Sequence, residues 1–435
     1  MTDAAPAPTR LDDVDIHTIA RYQREGYPWA DWALLRREAP VYWYERDGIE
    51  PFWAITRHAD VKAVSLDDRT FVNSGPRLRL APSDYERRRW AAREKKSRLY
   101  GWDPRAPDDF IYVDNPAHRK LRLIVARRFT SAYCRSLEAA LERLAEEIAD
   151  EFLAALTSGR TLDLVHDFAV RLPLATICEM MGLPPEDWAD IHRWTDALFD
   201  LENLQWAQPD EDRSGMRRRL YAEFHAYLAG LIEHKRRCPA DDLSTLLVNA
   251  ELDGRPLDEQ ALHGYLRVLI AAGNETTRNA LTRGILTLLE HRDQLDRFEV
   301  EPERMVEPLV EEVVRYTSPV IQFARTATRD IRMHGKLVRA GDTVGIWYPS
   351  ANRDEAVFSA PDAFDIARSP NPHVGFGHGV HFCLGANLAR FELRAMFRAL
   401  GRRRLVSRLE TAGRGRRLTD LHVGAFAEIP IRLAA

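Results

Sequence analysis

Cysteine is scarce in this chain, four in 435 residues. Cys134, Cys178, Cys238 and Cys383 lie far apart, which excludes a disulfide framework and the paired spacing of a structural zinc site. A reducing, cytoplasmic setting is expected. Long apolar runs are missing too. Met1 to Ala20 hold neither a basic start followed by an apolar core nor a stretch able to cross a bilayer, so no export leader and no membrane anchor are expected. Net charge is small, −4 from 62 Lys and Arg against 66 Asp and Glu, which gives no global attraction for nucleic acid or an anionic membrane. Also absent are an internal repeat, a Pro/Gly/Ser-rich linker, a phosphate loop and a complete dinucleotide fingerprint, of which Gly377-x-Gly379 is only a fragment. One domain over 1–435, with a loose start over about 1–12, is the expectation.

Apolar residues make up 45% of the chain, ample for a large core. Val41 to Ile55 places aromatic and β-branched residues on both sides of Asp47-Gly48, the signature of a hairpin. From Asn115-Pro116 onward the pattern turns helical, and Leu137, Leu141, Leu144, Ile148 and Phe152 recur on one face. Further helices are predicted over Pro184 to Phe199, Met216 to Arg237, Asp258 to Glu290 and Val306 to Tyr316, with Asp258 as a cap. After Pro319 come short strands and turns, QFARTATRDIRMHG and then KLVRAGDTVGIWY, punctuated by Gly335 and Gly341, and a final helix from Leu384 to about Leu400. The class is therefore mainly α with small β-sheets. Tyr85 to Arg98 (YERRRWAAREKKSR) is dense in charge, and its plain reading is a solvated surface helix.

Residues 376 to 390 read FGHGVHFCLGANLAR. Phe376, Gly379, Cys383 and Gly385 occupy a Phe-x-x-Gly-x-x-x-Cys-x-Gly spacing that chance supplies with odds on the order of one in a thousand over such a chain. A thiolate metal ligand needs a tight turn, which Gly377 and Gly379 permit, an apolar neighbour, and backbone N–H groups aimed at sulfur. The helix beginning just after Cys383 turns its positive end toward that sulfur and favours the charged form that binds iron. The plain alternative, a small buried hydrophobe beside a glycine turn, leaves the spacing to accident.

With these residues the chain resembles the cytochrome P-450 family, and the resemblance extends over nearly its whole length. It implies the P-450 fold, a helical haem-binding domain with a β-rich N-terminal region, and haem b held through its iron by Cys383. Glu-x-x-Arg alone means little, since Glu86/Arg89 and Glu301/Arg304 also satisfy it. By position, Glu312 and Arg315 in EEVVR, with Arg368 in PDAFDIAR, are expected to form the family's buried network, which fixes the meander before the ligand. His118 and Arg122 in AHRKLR, Arg325 in FARTA and His381 are expected at the two haem propionates, where arginine's planar fork pairs bidentately.

Ala272-Gly273-Asn274-Glu275-Thr276-Thr277 resembles the family's segment over the distal haem face. Local propensity does not select it, because glycine and paired threonines weaken a helix interior. The resemblance implies that Gly273 lets the backbone open beside dioxygen, that Thr276 hydrogen-bonds the oxygen, and that Glu275 relays protons inward. A capping or solvated Glu275 is the plain alternative. The implied enzyme is a monooxygenase that puts one atom of O2 into a substrate C–H bond, thiolate donation favouring O–O cleavage.

Lacking a flavin or nicotinamide fingerprint, the chain needs electrons from outside. It looks like the soluble bacterial type, fed by a ferredoxin and ferredoxin reductase with NAD(P)H as source. Arg119, Lys120, Arg127 and Arg128 are candidates to receive an acidic partner. The wording AAGNETTRNA, WYPSANRDEAVF and ARSPNPHVGFG resembles members that hydroxylate sterols or methyl-branched lipids. Pocket candidates by resemblance are Leu269, Ala272, Val320, Ile321 and the turn at Ala425-Phe426, all apolar, so a sterol, terpenoid or branched lipid is the expected substrate of a monomeric protein with no nucleic-acid partner. Three alternatives stay open. The long charged segment Phe71 to Asp114 suits a polar or carrier-bound substrate, while a haem-thiolate sensor without turnover and a peroxide-driven enzyme are both disfavoured by Glu275-Thr276.

Overall fold

The computed structural model describes residues 7–199, 204–418 and 420–434. The hairpin forms as its composition dictates. β1 (Val41–Arg46) and β2 (Ile49–Ile55) pair antiparallel, with Trp43 opposite Trp53 and Gly48 taking the turn at φ +86°. Two strands alone bury too little apolar surface to stand in water. Their partners come from elsewhere in the chain: β3 (Phe71–Val72), β4 (Gln322–Ala327) and β5 (Thr343–Trp347) complete a five-stranded sheet in the order β1-β2-β5-β4-β3. β5, parallel to β2 and antiparallel to β4, is buried at every position, as the apolar run TVGIW requires of a central strand.

The N-terminal region carries helices beside these strands. Ile19–Glu25, Trp29–Glu38 and His58–Leu66 are helices, and Trp32 from the second packs against Trp347 at the end of β5, ring centroids 5.7 Å apart. Within the stretch expected to be loose, Leu11–Asp13 form a 3-10 turn, and the Leu11 carbonyl accepts from the Tyr42 hydroxyl at 3.2 Å.

The charged segment is helix α1 (Ser83–Tyr100), none of whose residues is buried. There follow α2 (Ala117–Val125), α3 (Ser131–Thr157), α4 (Arg171–Met181), α5 (Trp188–Phe199), α6 (Arg213–Arg237), α7 (Glu259–Glu290), α8 (Pro302–Thr317) and α9 (Ala386–Arg402). On α3 the predicted stripe is the buried one, through Leu141, Ile148 and Phe152. Asp258 caps α7, accepting the Ala261 N–H at 2.7 Å. The 32 residues of α7 run about 48 Å through the core. α4 escaped prediction because RLPLATICEMM is buried almost all round, so it shows no polar face from which to read a period. Among the described residues no helix is long and apolar enough to cross a membrane.

Candidate active site

The loop bearing Cys383 is shaped from below by a buried charge network. Glu312 and Arg315, fully buried one turn apart on α8, are joined by two hydrogen bonds of 2.7 Å. Arg368 Nε donates to both Glu312 oxygens at 3.2 Å, and Asn371 Nδ2 donates to Oε2 at 3.1 Å. The remaining guanidinium N–H groups take up carbonyls, those of Asn352, Pro361 and Ala363 by Arg315, and those of Ser359, Ala360 and Ala363 by Arg368. The buried charges are thus compensated, and the meander between 352 and 371 is pinned to α8 through its own backbone. Next to it, Arg390 of α9 binds Glu311 at 2.6 Å and lies 4.4 Å over the Phe376 ring.

Gly377 and Gly379 take φ of +73° and +72°, a region that glycine enters at little cost. At Gly379 a Cβ would stand 2.0 Å from the Ser65 carbonyl oxygen, so close backbone approach as well as the turn demands glycine. The Cys383 N–H donates to the Phe376 carbonyl at 2.9 Å and closes the loop. Cys383 thereby exposes its surface to a cavity of about 1480 Å³, which Ala272, Gly273 and Thr276 of α7 also line. Burial pushes the thiol up, while the Gly385 N–H, Arg122 and Arg390 oppose it. A thiolate here calls for a cation on its cavity side.

His118, Arg122, Arg325 and His381 all border that cavity. The rings of His118 and His381 lie 4.0 Å apart, centroid to centroid. Among the described residues no carboxylate forms an ion pair with any of the four, and His118 Nε2 is buried without a hydrogen-bond partner. Burial, reinforced by mutual repulsion around the histidines, lowers every one of their pKa values, that of His118 to about 4. Such a cluster around a sulfur is an electrostatic arrangement that two carboxylates complete.

Four residues sit otherwise than expected. α7 is unbroken through Gly273; the missing side chain serves instead to admit Ile177 of α4, whose Cγ1 would lie 2.9 Å from a Cβ. Thr276 does reach the cavity, its hydroxyl donating to the Ala272 carbonyl at 3.1 Å, but Glu275 is not on the wall. Its carboxylate is fully buried against Arg278, whose Nη1 binds Asp196 of α5 at 3.2 Å, because a carboxylate in so dry a place settles on the nearest cation. Leu269, Ala272 and Val320 line the cavity, whereas Ile321 packs with Trp32, Tyr44 and Trp347, its neighbour Val320 taking the cavity side as alternation requires. Phe426 lies under the Arg417 guanidinium at 5.1 Å, and the late turn contributes Leu421, His422 and Val423 instead.

Sequence reasoning missed Tyr348, which borders the cavity beside Arg325, and His422, whose Nδ1 lies 2.6 Å from the Gln322 carbonyl oxygen. Neither carries a periodic or motif signal. Of the candidate partner-docking cations, Lys120 and Arg128 are engaged by Asp253 and Asp241, while Arg119 and Arg127 are exposed and free of ion pairs among the described residues.

A family model described as Cytochrome P450 matches residues 86–403. The chain is 38% identical to a methyl-branched lipid omega-hydroxylase of Mycobacterium tuberculosis over 403 residues, 91% of this chain and 88% of that one. It is 34% identical to linalool 8-monooxygenase of Pseudomonas putida, covering 97% of this chain and 98% of the relative. Its structure superposes on a Mycobacterium marinum cytochrome P450 in complex with pseudoionone with a TM-score of 0.84 and 31% identity, over 98% and 100% of the two chains.

Proposed function

The chain belongs to the cytochrome P450 family, and on that premise we propose that Cys383 carries its haem and that it hydroxylates an apolar lipid, sterol or terpenoid with electrons from a ferredoxin. Members of the family are haem b oxidoreductases that take electrons from redox partners. Bound haem supplies the activation of dioxygen and the delivery of one oxygen atom to a C–H bond. The carrying observation is that Cys383 borders the same cavity as Thr276, as do four cationic or imidazole groups that no carboxylate pairs with among the described residues. In this reading His118, Arg122, Arg325 and His381 hold the propionates, and Phe376, Gly377 and Gly379 keep the sulfur in place.

On the other wall, Thr276 holds a hydroxyl at the cavity surface, and Glu275, one residue before it, is the proton source once its carboxylate turns from Arg278. Leu269, Ala272 and Val320 exclude water from the reacting end of the substrate. The names of the two relatives, a branched-lipid hydroxylase and a terpenoid monooxygenase, support an apolar substrate.

For the electron partner, exposed Arg119 and Arg127 flank Leu123, itself 60% exposed on α2; a cationic rim round an apolar patch suits weak, salt-sensitive docking of an acidic ferredoxin. The described cysteines are free, in keeping with a reducing cytoplasm, and a monomeric, single-domain protein completes the reading. The test is NADPH consumption with ferredoxin and its reductase, coupled one to one to hydroxylated product. Binding without NADPH consumption would favour a sensor, and turnover with hydrogen peroxide alone a peroxide-driven enzyme.

A further inference from the structure

α1 exposes its charges, yet one side of it also lines the cavity that begins at Cys383. Where exposed residues such as Arg88, Lys95 and Leu99 border the cavity, it opens to solvent between α1 and α6. The charges there do not balance. Arg88 is paired with Asp84, and Arg89 and Arg93 share Asp108 at 2.5 and 3.1 Å. Lys95, Lys96, Arg217 and Arg218 have no ion pair among the described residues, although all border the cavity.

Lys96 is the most constrained of these. It is half-buried, its ammonium sits 3.6 Å over the Tyr221 ring of α6, and the nearby acid, Asp108, is already taken by two arginines. Arg217 and Arg218 lie one turn before Tyr221 on the same helix, so they share its face or border it. Burial, with Arg267 of α7 and Arg93 and Arg89 of α1 nearby, presses the Lys96 ammonium down to about 7 against the pull of Asp108. Such a site gains when an anion arrives, because the desolvated Lys96 attracts it strongly and is relieved of repulsion from its cationic neighbours.

We propose that the substrate carries an anionic end, a carboxylate or a phosphate, which Lys96 receives together with Arg217 and Arg218, leaving the apolar remainder to run past Leu269 toward Thr276. Oxidation then falls on the part of the chain remote from the acid group. This rests on the reading of the Cys383 wall as the haem site, and the test separates the two. The ferric holoenzyme is titrated with hexadecanoic acid, hexadecyl phosphate and hexadecanol, following the haem spin-state band. Expected is binding of one or both anions at least about tenfold tighter than the alcohol, a preference that shrinks with salt, is abolished in Lys96→Gln and is restored in Lys96→Arg. A preference for the phosphate alone identifies a phosphorylated lipid as the substrate, and for the acid a free fatty acid. Equal affinity for acid, phosphate and alcohol overturns the proposal, as does a Lys96→Gln variant that loses all three alike. If the alcohol shifts the band while the anions gain nothing, the haem reading stands and only the anion site falls.

Discussion

Glu275 and Arg278 pair across one turn of α7, and neither side chain touches solvent. With Asp196 on the guanidinium's other side, the carboxylate next to Thr276 is held away from the cavity rather than in it. Glu275→Gln keeps the shape of the side chain but carries no exchangeable acid proton. Turnover is expected to fall about a hundredfold or more, with haem content and substrate binding unchanged, as measured by steady-state kinetics beside spectral titration. Arg278→Leu leaves Asp196 and Glu275 buried without their shared cation, and a loss of roughly 3–5 kcal/mol in urea unfolding is expected.

The network under the ligand loop gives a second prediction. Arg315→Leu removes both 2.7 Å bonds to Glu312 and the anchors on Asn352, Pro361 and Ala363. A buried carboxylate deprived of its main partner costs about 3–5 kcal/mol, and haem incorporation should fall with it because the meander before Cys383 loses its tether. Calorimetry and the ratio of haem absorbance to protein absorbance measure the two effects.

Glycines supply a contrast. Gly379→Ala puts a Cβ 2.0 Å from the Ser65 carbonyl at φ +72°, so lower stability and poor haem retention are expected. Gly230, exposed inside α6 with nothing within 4 Å of an added Cβ, should gain about 0.5–1 kcal/mol on changing to alanine. Urea midpoints of the two variants test both signs.

Glu392, buried on α9, is pushed up to about 8 by desolvation, the Thr277 and Thr176 hydroxyls only partly offsetting it. Its folded-state pKa is above the ordinary 4.5, so between these values the native protein keeps a proton that the unfolded chain has released. This group therefore makes stability fall as pH rises from about 4.5 to about 8, by at most about 1.4 kcal/mol per pH unit, and then level off. Unfolding midpoints at several pH values should show that decline, and Glu392→Gln should flatten it.

The positions legible in the sequence were those fixed by local chemistry. Phe376 to Gly385 could be read because a turn with positive φ needs glycine at 377 and 379, and Glu312 with Arg315 because one helical turn sets their spacing. The face of α7 that Glu275 occupies was not legible, since Arg278, which holds it, is shared with Asp196 on α5 and only packing brings the two helices together. Ile321 and Phe426 were misplaced for a related reason: the sheet and the late turn decide by tertiary contact which neighbour points inward. α1 was rightly read as a solvated helix, but charge density alone does not reveal that a solvated face also borders a cavity.

The central claim is that Cys383 donates a thiolate to haem iron. Reduced protein under carbon monoxide should show the strongly red-shifted Soret band of thiolate ligation, and Cys383→Ala should lose it. A wild-type protein without that band, or a Cys383→Ala variant that retains it, would contradict the account.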